Sequence, residues 1–205
     1  SSTTAVFQAS STDTNLKNVS LYVDSAFSKA NISGLQGTYL FTAILSAGQH
    51  TWYIISYDQA NNLNQSSTRT IEIDNTAPSG ITFVSPTESD NTAFQRNWYY
   101  VNLTFIETYS STCRLDNGTA NITMTRSGNN CFINQTAQSQ GIYAYKVFVN
   151  DTAGNTGSAS RTITLDSTKP DITIISPVNI LYGNATIELK VKASEGVSVW
   201  RYSLN

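Results

Sequence analysis

Asp151-Thr152-Ala153-Gly154-Asn155, followed by Arg161-Thr162-Ile163-Thr164-Leu165-Asp166-Ser167-Thr168-Lys169-Pro170, is the second copy of a pattern that already occurs upstream. The first copy is Asp58-Gln59-Ala60-Asn61-Asn62, followed by Arg69-Thr70-Ile71-Glu72-Ile73-Asp74-Asn75-Thr76-Ala77-Pro78. Pro78 and Pro170 are 92 residues apart, and so are Asp24 and Asp116. A repeat of this length is a domain rather than one turn of a solenoid. Before each Asp the sequence alternates: Trp52, Ile54 and Ser56 in the first copy, Tyr145, Val147 and Val149 in the second. That period of two predicts a strand with one buried face. A polar turn and a second strand follow, with Ile71 and Ile73 matching Ile163 and Leu165 as inward positions.

Three further columns align outward from this block. Ile81-Thr82-Phe83-Val84-Ser85-Pro86 matches Ile172-Thr173-Ile174-Ile175-Ser176-Pro177 as a first strand, and no copy lies near the N-terminus. A second strand carries Tyr99, Val101, Leu103 and Phe105 on one face, matched by Ile187, Leu189 and Val191 and, more weakly, by residues 4–11. A third strand is expected at residues 19–24, 112–116 and 200–205. Short strands separated by Gly, Asn, Ser and Asp turns, with no helical period, predict an all-β fold of tandem sandwiches. The expected units are 1–76, lacking its first strand; 77–168, complete; and 169–205, the first strands of a third. A sandwich without its first strand has an open edge. Either the protein continues beyond both ends or a neighbouring subunit donates the missing strands.

Composition narrows the function classes. The 205 residues include 26 Ser, 27 Thr and 20 Asn, while charged residues make up 13% and the net charge is −2. This is no basic footprint for nucleic acid. No apolar run approaches the roughly 18 residues that span a bilayer. Met124 is the sole methionine and the first residues show no signal-peptide pattern, so a processed chain or a segment of a longer one is expected.

The residues at 145–155 and 161–170, and more loosely those at 52–62 and 69–78, resemble the immunoglobulin/fibronectin-III-like repeats of bacterial and archaeal surface proteins. The first copy has Asn61 where the pattern has Gly, and Asn also tolerates a left-handed turn. The resemblance covers essentially the whole chain. It implies an Ig-like β-sandwich array on the outside of a cell, and its Cys pair and many sequons give it an archaeal character. It implies little about function, because this sandwich is a scaffold.

Nine Asn-x-Ser/Thr sites occur, at Asn18, Asn31, Asn64, Asn102, Asn117, Asn121, Asn134, Asn150 and Asn184. Chance order gives about 5. Alternation places Asn18, Asn102, Asn150 and Asn184 opposite the apolar faces of their strands and the others in turns, so all nine are expected to point outward. They are either N-glycan acceptors or simply part of an Asn- and Thr-rich surface. Cys113 and Cys131 lie 18 residues apart, which is no zinc spacing. In an extracellular chain they pair; otherwise they are two buried thiols.

Catalytic constellations are not evident. The single His, His50, lies in a Gly-Gln-His-Thr turn and is expected to be solvated or to cap it. Glu88, Glu107 and Glu195 stand isolated in sequence. Asp58 and Asp151 head turns, and Asp74 and Asp166 lie at the unit junctions. These four either contribute to Ca²⁺ sites that stiffen the array or accept bonds from turn amides. Trp98 and Tyr100 are expected to face outward and Tyr99, Tyr143 and Tyr145 inward. The expected function is a non-enzymatic structural segment of a cell-surface filament, sheath, S-layer or adhesive stalk. Its partners would be copies of itself or other surface proteins, with N-linked glycans. The alternative is a carbohydrate- or ligand-binding module of a larger adhesin or secreted enzyme.

Overall fold

The computed structural model describes residues 2–203. The first part of the chain forms β1 (Ser2–Ser11), β2 (Leu16–Val23), β3 (Ala26–Asn31), β4 (Gly37–Ser46), β5 (Gly48–Asp58), β6 (Leu63–Gln65) and β7 (Arg69–Ile73). The middle forms β8 (Ser79–Phe83), β9 (Thr92–Phe94), β10 (Tyr99–Ile106), β11 (Ser110–Asp116), β12 (Asn121–Thr123), β13 (Thr125–Ser127), β14 (Asn130–Gln135), β15 (Gly141–Asp151) and β16 (Thr156–Leu165). The last part forms β17 (Ile172–Ser176) and β18 (Lys190–Ala193).

The middle part is a two-sheet sandwich. One sheet runs β13-β14-β10-β8 and the other β12-β11-β15-β16-β9. Every pairing is antiparallel except β9 with β16, where Thr92, Ala93 and Phe94 lie beside Ile163, Thr164 and Leu165. Alternation dictates the core: Tyr99, Val101, Leu103 and Phe105 from one sheet meet Leu115, Tyr145, Val147, Val149, Ile163 and Leu165 from the other. Tyr145 stacks on Tyr99 with ring centroids 5.4 Å apart. Desolvation raises both phenols to about 12. The Cys113–Cys131 disulfide ties β11 to β14, so it crosses between the sheets at full burial. Closing an 18-residue loop stabilises by about 3 kcal/mol through the unfolded chain.

The first part repeats this plan with fewer strands. Its larger sheet runs β3-β2-β5-β6, with β7 beside the other end of β5. The single strand β16 of the middle sandwich therefore corresponds to two short strands here. The facing sheet is the β1-β4 pair alone, in register Ala5↔Ala43 and Phe7↔Phe41. Among the described residues β1 has no neighbour where β10 has β8. A separate core of Phe7, Leu16, Val19, Leu21, Tyr39, Phe41, Leu45, Ile54 and Ile73 fills the interior. The two cores share no residue.

The last part departs from expectation. β17 pairs with β18 in register Ile174↔Val191, but the second strand begins at Lys190, so Ile187 and Leu189 lie outside it. No strand forms at 200–203, and the remainder of the expected third strand, Leu204 and Asn205, lies outside the described residues. The physical reason is coverage. In the middle sandwich the matching positions pack beneath β11, β15 and β16, whereas no second sheet covers β17 and β18 among the described residues. Ile172, Ile174, Ile187, Leu189 and Trp200 stay exposed and line an open hollow of about 850 Å³. This hollow is the uncovered core face of the β17–β18 pair.

Candidate functional site

The two copies of the Asp-x-x-x-Asn turn close identically. The Asn62 N–H donates to Asp58 Oδ1 at 2.8 Å, and its Nδ2 donates to Oδ2 at 2.6 Å. In the second copy the Asn155 N–H donates to Asp151 Oδ1 at 2.8 Å, and its Nδ2 to Oδ2 at 2.8 Å. In both, the Asp N–H returns a bond to the Asn carbonyl at 3.1 Å. Asn61 and Gly154 supply the left-handed step, at φ 65° and 93°. The Asn62 side-chain and backbone donors hold Asp58 below the usual carboxylate range. Burial pushes Asp151 up, but the donors of Asn155, Gly154 and Ala153 outweigh it and leave Asp151 lowered.

The second turn does more than close itself. Asn155 Nδ2 also reaches the Asp74 carbonyl at 3.2 Å, so the middle sandwich grips the segment that leaves the first. Gly157 sits against the same segment: a Cβ there would lie 2.1 Å from the Pro78 carbonyl oxygen. The linker carries its own turn, with the Thr76 N–H donating to Asp74 Oδ1 at 3.0 Å. Thr168 donates to Asp166 Oδ1 at 3.0 Å in the next linker. The junction is thus built from backbone contacts, a clasped turn and a Pro-terminated linker.

Three carboxylates converge there. One oxygen each from Asp74, Glu107 and Asp151 lies within 4.8 Å of the others. Asp151 is 3% exposed, and Asp74 Oδ2 is buried without a hydrogen-bond partner. Glu107 Oε1 accepts from the Tyr109 N–H at 2.8 Å, and the Tyr109 carbonyl accepts from the Thr152 N–H at 2.8 Å, which brings β10's end to the turn. Sequence separation hid Glu107, which stands apart from the two Asp residues until the strands pair. Among the described residues this is the one such cluster, and its hard oxygen donors are of the type that suits a divalent cation. Asp58 and Asp166 lie in no such cluster.

Other singled-out side chains are engaged elsewhere. His50 is not free in solvent: its Nδ1 lies 2.7 Å from Asp24 Oδ2 and its Nε2 3.1 Å from the Ser46 carbonyl. An acceptor at each nitrogen favours the protonated ring, and the hydrogen bond it donates to Asp24 raises its pKa above the ordinary value. A hydrolytic base would need Nε2 at a nucleophile, and here it meets a backbone carbonyl. Asp24 also accepts the Thr51 N–H at 2.9 Å. It therefore pins the β2–β3 hairpin, whose central residues Asp24 and Ser25 have φ of 50° and 65°. Glu88 pairs with Arg96 rather than standing alone. Arg96 covers Trp98 at 4.0 Å from its ring centroid, and Tyr100 stacks on Phe132.

No protein-family model matches the chain, and no curated protein is similar to it in sequence. Solved structures do match in shape. The I-band fragment I67–I69 of titin aligns at a TM-score of 0.50 and 12% identity, over 93% of this chain and 70% of that one. The array is one of immunoglobulin-like β-sandwiches. The fibronectin(III)-like modules of Clostridium thermocellum CbhA align over 78% of this chain and 84% of that one, at TM-score 0.43 and 10% identity. A tetra-tandem repeat in the extending region of a large adhesion protein aligns over 86% and 49%, at 0.37 and 19%. Among the described residues of the Ig-like array, no helix is long and apolar enough to cross a membrane.

Proposed function

We propose that this array is a non-enzymatic structural segment of an extracellular cell-surface protein, working as a spacer in a filament, sheath, S-layer or adhesive stalk. Its units are 1–76, 77–168 and the start of a third at 169–205. Its partners are copies of itself or other surface proteins. The observation that carries this reading is the junction, where Asn155 and Gly157 of the middle sandwich close on Asp74 and Pro78 of the preceding linker. Contacts of this kind limit bending between units, which a spacer needs and a freely tethered domain does not. A buried disulfide between sheets fits an oxidising exterior. The test is immunolabelling of intact native cells, with and without permeabilisation. Surface labelling of unpermeabilised cells supports the reading, and labelling that requires permeabilisation overturns it.

A further inference from the structure

The sequons, which sequence places uniformly outward, fall into two structural groups. Asn31, Asn64, Asn121, Asn134 and Asn184 are exposed, and Asn117 is half-buried in the turn that follows β11. Their amide nitrogens carry no hydrogen bond among the described residues. At two of these sites the sequon folds on itself through the amide oxygen. The Ser33 N–H donates to Asn31 Oδ1 at 2.9 Å. The Thr119 N–H and hydroxyl donate to Asn117 Oδ1 at 3.1 and 2.9 Å. Such turns commit the oxygen and leave Nδ2 unengaged.

The other three lie on central strands, half-buried. Asn102 on β10 donates Nδ2 to the Ser85 carbonyl at 2.7 Å and accepts from Asn130 Nδ2 at 2.9 Å. Presenting its nitrogen to a donor breaks both bonds. On β2, Asn18 Oδ1 is enclosed, and the sequon's Val19 and Ser20 are 0% and 6% exposed. On β15, Asn150 is followed by the clasped, buried Asp151.

We propose that Asn31, Asn64, Asn117, Asn121, Asn134 and Asn184 carry N-linked glycans, that Asn18, Asn102 and Asn150 stay bare, and that the sugars at Asn31, Asn64 and Asn121 cap sheet edges. The transfer joins Nδ2 to the anomeric carbon of a sugar activated as a phosphate or pyrophosphate ester. The bond from that carbon to the ester oxygen breaks, the phosphate leaves with the electron pair, and the amide gives up one proton. Asn31 closes β3, Asn64 is the middle of β6 and Asn121 opens β12, and these three strands are outermost in their sheets. An outermost strand offers unpaired backbone groups to other chains, and a bulky hydrophilic group on it blocks that pairing. Charge, the usual edge guard, is scarce in this chain.

The inference rests on the exported reading above, and its test is separable from it. The full chain is secreted behind a signal peptide from a yeast host that glycosylates Asn-x-Ser/Thr, and the folded product is mapped by glycopeptide mass spectrometry. The six named sites are expected to be occupied and the other three bare. A sugar on Asn18, Asn102 or Asn150, or a bare residue among the six, overturns the partition. This mapping is independent of where native cells place the protein, so its failure leaves the surface reading standing, and the reverse holds too. For the edge role, the N31Q/N64Q/N121Q variant is compared with N117Q/N134Q/N184Q by sedimentation velocity. The first is expected to self-associate at several-fold lower concentration. Equal behaviour refutes capping. Trimming the glycans of the folded wild-type chain with an endoglycosidase, which leaves each Asn intact with a single sugar, gives a second reading without substitution: new self-association supports capping, and a chain that stays monomeric opposes it.

Discussion

Substituting Gly157 with Ala tests the junction at its tightest point. The added methyl would sit 2.1 Å from the Pro78 carbonyl oxygen and 2.8 Å from Ile81 Cδ1. The first of these is backbone, so the linker must retreat by about 1 Å to reach ordinary contact, with strain typical of overpacking. In an unconstrained strand Gly→Ala gains roughly 0.5–1 kcal/mol. Here the steric term reverses that sign and leaves a net loss of about 2 kcal/mol. For a domain of this size the loss lowers the melting midpoint of the middle sandwich by roughly 10 °C. Differential scanning calorimetry of the whole chain reads it. Gly196→Ala is the control, because a Cβ there meets nothing within 4 Å and its midpoint should not move. A Gly157→Ala protein within about 0.5 kcal/mol of wild type would refute the argument that the linker is held against β16.

Other outcomes follow from the same geometry. Asp151→Ala should cost about 3 kcal/mol because it strips a buried clasp of charge-assisted bonds, whereas Asp58→Ala at the more exposed copy should cost less; equal losses in urea titrations would contradict this ordering. Reducing Cys113–Cys131 should destabilise the middle sandwich by about 3 kcal/mol and leave the first unchanged, as read by separate transitions in calorimetry. Asp24 raises His50 above its ordinary 6.5, and His50 with Thr51 lowers Asp24 below its ordinary 3.8. The pair's contribution is therefore fully present below pH 6.5 and lost as pH rises through the raised His value. On the acid side it persists until pH falls below 3.8 toward the lowered Asp value. The melting difference between wild type and His50→Ala should thus shrink on going from about pH 6 to about pH 9, and a difference that grows instead would invert the assignment.

Local pattern carried much of the fold. The alternation in β10 and β15 marks the core because a strand buries every second residue, and the recurring Asp-x-x-x-Asn turns mark where β5 and β15 end. Short elements left no such trace. β9 is three residues long, and its parallel pairing with β16 comes from the chain path rather than from its own sequence. Ile187 and Leu189 show strand periodicity, yet periodicity alone cannot hold a strand that has no covering sheet. At the junction, Asp74 and Asp151 stand out beside turn and proline signals, whereas Glu107 joins them through tertiary contact. The Asp24–His50 pair is hidden for the same reason, being 26 residues apart in sequence. Among the sequons, alternation assigned outward faces to Asn18, Asn102, Asn150 and Asn184 but carried no sign of whether an amide was already bonded, and Asn102 is the example.

Single-molecule force spectroscopy on the oxidised and reduced chain addresses the claim of end-to-end sandwiches most directly. The account predicts two discrete unfolding steps, with one of them lengthening by about 60 Å on reduction as the 18-residue Cys113–Cys131 loop joins the extensible chain. A single merged step, or increments insensitive to reductant, would contradict it.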